Sequence, residues 1–212
     1  MNKQEIIKTI AEFKAKIETL EKEVAKMPDE EKAKISELPI GAKFEYRGRE
    51  WVRLGEEQGG IFCILADMLI DEQVFGDDAD YSKSEIKAVL EAFSAELNAE
   101  DLLPYTMDLT SDNGDDTLKE YKTNGAGLIS CGLYRKYYKY IPKYKDWWWT
   151  CTPWGYSSYA GYVRFVYTSG VLNYYSAYYN FGVVPVCILK PITEIRHVRG
   201  DKKGGKNEQE QV

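Results

Sequence analysis

The sequence predicts an α+β protein: an N-terminal coiled-coil helix, then a body of short strands with two or so helices. Three observations carry this. Apolar side chains recur at alternating spacings of four and three over residues 3–27. Residues 38–192 break into short apolar runs bounded by Gly, Asp and Asn turns. Aromatic residues crowd the second half, where thirteen of the seventeen Tyr lie between Tyr134 and Tyr179 and four of the five Trp between Trp147 and Trp154. The expected division is 1–37, an oligomerisation helix; 38–192, a ligand-binding domain; and 193–212, a disordered polar tail.

In the first segment Ile10, Ile17 and Val24 take heptad position a, and Ile6, Phe13, Leu20 and Met27 take position d. An apolar seam two residues in seven wide is narrower than the face of a helix that packs on its own domain, and so favours a coiled coil. In a parallel pair Lys16 faces Glu21 of the next chain, and Pro28 ends the pattern. The mixed a and d residues fit a homodimer or a homotrimer.

Further on, Ala42–Arg47, Gly48 and Glu50–Leu54 read as a hairpin, and Gly60–Ala66 as a buried strand. A helix is expected over about Ser84–Leu97, with Ser82 and Glu85 as a capping box and Ile86, Val89, Leu90, Phe93 and Leu97 on its apolar face. The acidic loop Asp108–Asp116 lacks the glycine and glutamate of an EF-hand frame and reads as solvated turns, so no metal is expected. Leu133–Lys145 interleaves Tyr with Lys and Arg. It reads as an amphipathic helix from Ser130, with Leu133, Tyr137, Tyr140 and Ile141 inward, in preference to a nucleic-acid surface.

Charge is segregated along the chain. Residues 56–120 hold eighteen acidic and three basic residues, 121–146 hold six basic and one acidic, and 147–191 hold only Arg164 and Lys190. Within that last stretch Trp154–Phe181 contains eight Tyr, four Ser, three Gly and two Asn. This is the composition of an antibody paratope, in which stiff amphipathic rings supply contact area and small polar residues supply adaptable hydrogen bonds. Adjacent doublets such as Tyr174-Tyr175 and Tyr178-Tyr179 cannot all point into a core. The expected ligand contacts are Trp154, Tyr156, Ser157, Tyr159, Tyr162, Arg164, Tyr167, Ser169, Asn173, Tyr174, Tyr175, Ser176, Tyr178, Tyr179, Asn180 and Phe181.

Catalysis is not expected. The lone His197 removes His-based triads and His-rich zinc sites. Cys63, Cys131, Cys151 and Cys187 form no C-x-x-C pair and read as buried thiols of a reduced protein. Met1–Glu5 begins a charged helix and not a signal peptide. The longest apolar stretch, Ile61–Ile70, is cut by Asp67 and falls short of the ~20 residues that span a bilayer, so no membrane insertion is expected.

Trp147-Trp148-Trp149-Thr150-Cys151-Thr152-Pro153 resembles a WW-x-x-[ST]-P motif, and Val166-x3-Gly170-x-Leu172-x4-Ala177-x4-Gly182-Val183-Val184-Pro185 resembles a V-x3-G-x-L-x4-[AV]-x4-G-V-R-P ending. Together these resemble bacterial and phage domains related to the C-type-lectin-fold variable proteins of diversity-generating retroelements. The resemblance covers about residues 38–191. It implies a C-type-lectin-like fold of small antiparallel sheets that holds diversified side chains on one ligand-binding face, here 154–181. It also implies an oligomeric phage receptor-binding or tail-associated protein, located in the virion or in the bacterial cytoplasm before assembly. The partner would be a protein or glycan on a cell surface, with no cofactor. Val184 stands where that ending has Arg, and 147–193 has no carboxylate, so calcium-mediated sugar binding is not implied. The alternative is a structural phage or cell-surface assembly protein whose Tyr-rich face is a fixed interface. An enzyme oxidising a Cys would need an accessible thiol.

Overall fold

The computed structural model describes residues 3–24 and 32–197. They form two compact units that divide between residues 31 and 32. The first is the helix α1, Lys3–Val24. On it Ile6, Ile10, Phe13, Ile17 and Leu20 are all exposed. The side chain of Val24 and the whole of Met27 lie outside the described residues.

The second unit is α+β and mostly strand. In chain order it runs β1 (Lys32–Lys34), β2 (Lys43–Tyr46), β3 (Arg49–Glu57), β4 (Gly60–Leu65), β5 (Ile70–Val74), α2 (Glu85–Ser94), β6 (Leu102–Leu103), β7 (Tyr105–Asp108), β8 (Glu120–Thr123) and α3 (Cys131–Tyr137). It continues with β9 (Trp148–Pro153), α4 (Tyr156–Tyr159), β10 (Tyr162–Val166), β11 (Leu172–Ser176), β12 (Asn180–Val183), β13 (Val186–Leu189) and β14 (Glu194–His197). Seven strands form one sheet in the order β1-β14-β2-β3-β4-β13-β6, and five form a second in the order β11-β10-β9-β12-β5; β7 and β8 pair separately. Every pairing is antiparallel except β12 with β9, joined at Gly182 and Trp148.

The apolar runs become the central strands. β4 (GIFCIL) and β9 (WWTCTP) are buried along their whole length, as strands covered on both faces must be. The apolar run Val183–Leu189 divides between two strands. β12 lies in the five-stranded sheet and β13 in the seven-stranded one, so Val184-Pro185 carries the chain from one sheet to the other. Val184 is fully buried there. An Arg at this point would need a buried partner.

Three expectations shift. The cap of α2 is Ser84, which accepts from Lys87 N–H, whereas Ser82 sits in a 3₁₀ turn that Asp80 caps. α3 starts at its Ser130 cap as expected but ends at Tyr137, so Tyr140 is exposed beyond it and Tyr134 joins Tyr137 in the core. The body also extends past both expected boundaries. Lys32–Lys34 forms an edge strand on Glu194–His197, which pairs in turn with β2, and Ile35, Thr193 and Ile195 are buried behind them. The rest of the expected tail, 198–212, lies outside the described residues.

Candidate ligand-binding face

The hairpin β10–β11 forms the edge of the five-stranded sheet, and its register decides where the predicted contacts point. Tyr162 pairs with Ser176 and Arg164 with Tyr174, so these four share one face; Val163 pairs with Tyr175 and Phe165 with Asn173 on the other. The contacts expected on a single face are therefore divided between two.

On the first face the rings form a connected row. Tyr159 meets Tyr162 edge-on at 6.4 Å, Tyr162 meets Tyr174 at 6.0 Å, and Tyr174 stacks on Trp154 at 4.1 Å with an interplanar angle of 16°. The guanidinium of Arg164 lies 4.2 Å from the Trp154 ring centre. Trp154 thus has Tyr174 and a cation against its ring, and holds the row in place more than it offers a free face of its own.

Arg164 is itself committed. Its side chain is only 13% exposed and pairs with Asp112 at 2.7 Å. The same carboxylate accepts two hydrogen bonds from Arg135, both 2.9 Å. The Arg135 hydrogen bonds first, and the charge of Arg164 with them, hold the Asp112 carboxyl below the ordinary carboxylate range against the opposing effect of burial. Three residues on, Ser157 donates both its backbone N–H and its hydroxyl to Asp115 at 2.6 Å, and this hydroxyl bond is the first cause of a strongly lowered Asp115 carboxyl. The acidic loop, expected to be solvated turns, is the brace of this face.

On the second face the row continues into the core. Phe181 lies 4.5 Å from Trp149 and 4.6 Å from Phe165, and is buried; it is a core residue, not a ligand contact. Tyr167 stands edge-on to Trp147 at 4.6 Å and Tyr175 to Tyr179 at 4.3 Å. Asn173 is spent internally. Its Nδ2 donates to Tyr167 Oη at 2.9 Å and its Oδ1 accepts from Tyr174 N–H at 2.9 Å, which covers one donor of an edge strand.

Tyr178 and Tyr179 lie in the turn between β11 and β12 and are both exposed, as is Asn180. Ser169 is exposed at the hairpin tip, and Ser176 is half-buried. Tyr156 is half-buried, with its hydroxyl on Asp78 at 3.4 Å.

The positions between these residues are fixed by backbone and core. Gly170 has φ +87°, a left-handed turn position, and its carbonyl accepts from Tyr134 Oη at 2.7 Å. At Gly182 a Cβ would stand 2.6 Å from Met68 Sδ and 3.2 Å from the Trp147 carbonyl oxygen. Val163, Phe165, Ala177 and Val183 are fully buried. Sequence reasoning missed Asp112, Asp115, Arg135, Tyr134 and Trp147 as parts of the site. The one available signal was Arg164 itself, a cation in a stretch without carboxylates, whose partner had to come from the acidic segment.

A family model described as a domain of unknown function (DUF6273) matches residues 82–191, over half of the sequence. The chain belongs to this family. The DUF6273 match takes in α2, the acidic brace, α3 and the whole hairpin, so every residue of the divided face falls inside it apart from Asp78; α1 and β1 to β5 fall outside. No curated protein and no solved structure matches the chain.

Chemically, the arrangement offers rings, hydroxyls and amides. All four cysteines are free and buried, and burial pushes the thiols of Cys63 and Cys151 well above their ordinary range. Among the described residues no group of three or more His, Cys, Asp or Glu side chains could hold a metal ion. No helix among them is long and apolar enough to cross a membrane.

Proposed function

We propose that the chain is a non-enzymatic binding protein: a C-type-lectin-like body that offers the Tyr, Ser and Asn side chains around β10–β11 to a protein or glycan on a cell surface. The observation that carries this reading is the contrast between frame and display. Tyr159, Tyr162, Tyr174, Tyr175, Tyr178 and Tyr179 are exposed, while Val163, Phe165 and Ala177 between them are fully buried. A frame anchored by residues other than the displayed ones is what a diversified surface requires. Rigid aromatic contacts on a sheet edge bind by area and hydrogen bonding at low entropic cost.

The exposed seam of α1 supports a coiled-coil dimer or trimer, because an apolar row in water is stable when a second copy covers it. Several copies of the binding face in one particle raise avidity without new contacts. A phage tail-associated role fits such a particle.

The test is the DNA downstream of the gene. A near-copy of the codons for about 153–185, differing only at adenines that fall in the Tyr, Ser and Asn codons, is expected beside a reverse-transcriptase gene. Absence of both, with an unchanging sequence across isolates, would overturn the diversified face in favour of a fixed assembly interface.

A further inference from the structure

Between α3 and β9 the chain turns through residues 138–144 and faces the tip of the hairpin, and a groove of about 300 Å³ opens between them. Its floor is apolar and its polar atoms are already used. Trp148 and Val166 are buried, and Tyr144 donates its hydroxyl to the Leu65 carbonyl at 2.6 Å. Its rim is different. It carries Lys139, Lys143, Thr168 and Ser169, together with Tyr138, which is 56% exposed.

The charges on this segment are unevenly spent. Arg135, Lys136 and Lys145 pair with Asp112, Glu57 and Asp71. Lys139 and Lys143 have no carboxylate partner among the described residues, and both line the groove. The hydroxyls of Thr168 and Ser169 likewise make no hydrogen bond there. In a chain of net charge −6, one small concavity therefore gathers two unmatched cations, two free hydroxyls and an exposed ring.

Resting on the binding reading above, we infer that this groove takes one acidic sugar unit, a pyranose ring bearing a carboxylate. Lys139 and Lys143 meet the carboxylate, Thr168 and Ser169 the ring hydroxyls, and Tyr138 the apolar face of the sugar. The volume sits at the lower end of the ~300–1,000 Å³ range of small-molecule sites, which suits a single ring. A nucleic-acid strand needs a continuous cationic track with successive stacking rings. Here Glu57, Asp71 and Asp112 neutralise the flanking cations, so the positive surface ends with the groove.

The experiment titrates the full chain with glucuronic acid and with N-acetylneuraminic acid, reading amide shifts in a ¹⁵N-labelled sample. Glucose, inorganic phosphate and an oligothymidylate are the comparison probes. Saturable binding of an acidic sugar is expected, with shifts at residues 138–144 and 167–170. K139Q/K143Q is expected to weaken it about tenfold or more, the loss of at least one charge-assisted contact, at an unchanged unfolding midpoint. Y174A/Y178A is expected to leave it unchanged, which separates the groove from the displayed tyrosines. No saturable binding, equal binding of glucose, or indifference to the double lysine variant would overturn the inference. Phosphate binding as tightly as the acidic sugar would reduce the groove to a bare anion site, and tighter lysine-dependent binding of the oligothymidylate would assign it to nucleic acid. Failure of the downstream-DNA test removes diversification and leaves this titration fully readable.

Discussion

Residues one position apart on β10 and β11 lead opposite lives. Toward the core, Phe165 stands within 6.4 Å of the rings of Trp149, Tyr167, Tyr175 and Phe181. On the opposite side, Tyr174 and Arg164 rest on Trp154, Tyr162 lies against Tyr174, and the acidic loop reaches this face through Asp112 to Arg164 and through Asp115 to Ser157. The core-facing side is held by burial and the outer side by a few charged hydrogen bonds. The difference teaches how one ribbon can be rigid and still replaceable in its exposed residues: the stabilising contacts and the recognising surface are on different atoms.

The sharpest way to break this comparison is to empty the inner face. Phe165→Ala should cost about 3–5 kcal/mol, the range for a large aromatic removed from a packed core. Urea unfolding reads it directly. A loss below about 1 kcal/mol would mean that the inner face is no more structural than the outer one.

The next effect belongs to the brace. Asp112→Asn leaves two guanidinium groups against an uncharged amide and should cost about 2 kcal/mol, below the ~3–5 of a fully buried pair because the site is partly open. The sign with pH follows from the lowered carboxyl. A depressed folded-state pKa contributes stability that is present above the unfolded value of about 3.9 and is lost as pH falls through the folded one. Wild type should therefore lose more stability than Asp112→Asn on going from neutral pH to below about 4. Equal losses in the two proteins would remove Asp112 from the account.

How far the sequence reveals this division depends on the range of the interaction. The buried strand β4, the Ser130 cap and the helix α1 with its apolar row were legible because each is a local pattern: an apolar run, a capping residue and a heptad spacing. The cap of α2 was not. Ser82 has the better capping-box spacing, yet Glu85 N–H bonds the distant Phe75 carbonyl at 2.9 Å and the helix begins after Ser84. β14 was hidden for a similar reason: it is short and charged, and Ile195 turns inward between the exposed Glu194 and Arg196. The sixteen contact residues were chosen by composition, which cannot tell Tyr174 from Phe181. Only the strand register, together with the pairing of Asp112 to Arg135 and Arg164, sorts them.

A smaller effect tests whether the tip of the hairpin belongs to the frame. Tyr134→Phe keeps the ring against Trp148, at 5.8 Å, and removes only the hydrogen bond to the Gly170 carbonyl. About 1 kcal/mol is expected. Faster amide exchange confined to 167–171 should accompany it, whereas exchange spread over the whole sheet would mean that this bond holds more than the tip.

The smallest expected effect is the one on which display depends. Tyr178 is 62% exposed in the turn after β11 and has no ring partner within the described body. Tyr178→Ser should leave stability within about 0.5 kcal/mol, the usual range for a surface substitution. Tyr174→Ser differs in kind, because Tyr174 covers Trp154 and lies near Arg164. It should cost more than Tyr178→Ser while remaining well below Phe165→Ala. If all three substitutions are measured by unfolding, that order follows from contact geometry alone. Were Tyr178→Ser to destabilise as much as Tyr174→Ser, the turn would be part of the frame, and the displayed surface would shrink to the row from Tyr159 to Tyr174.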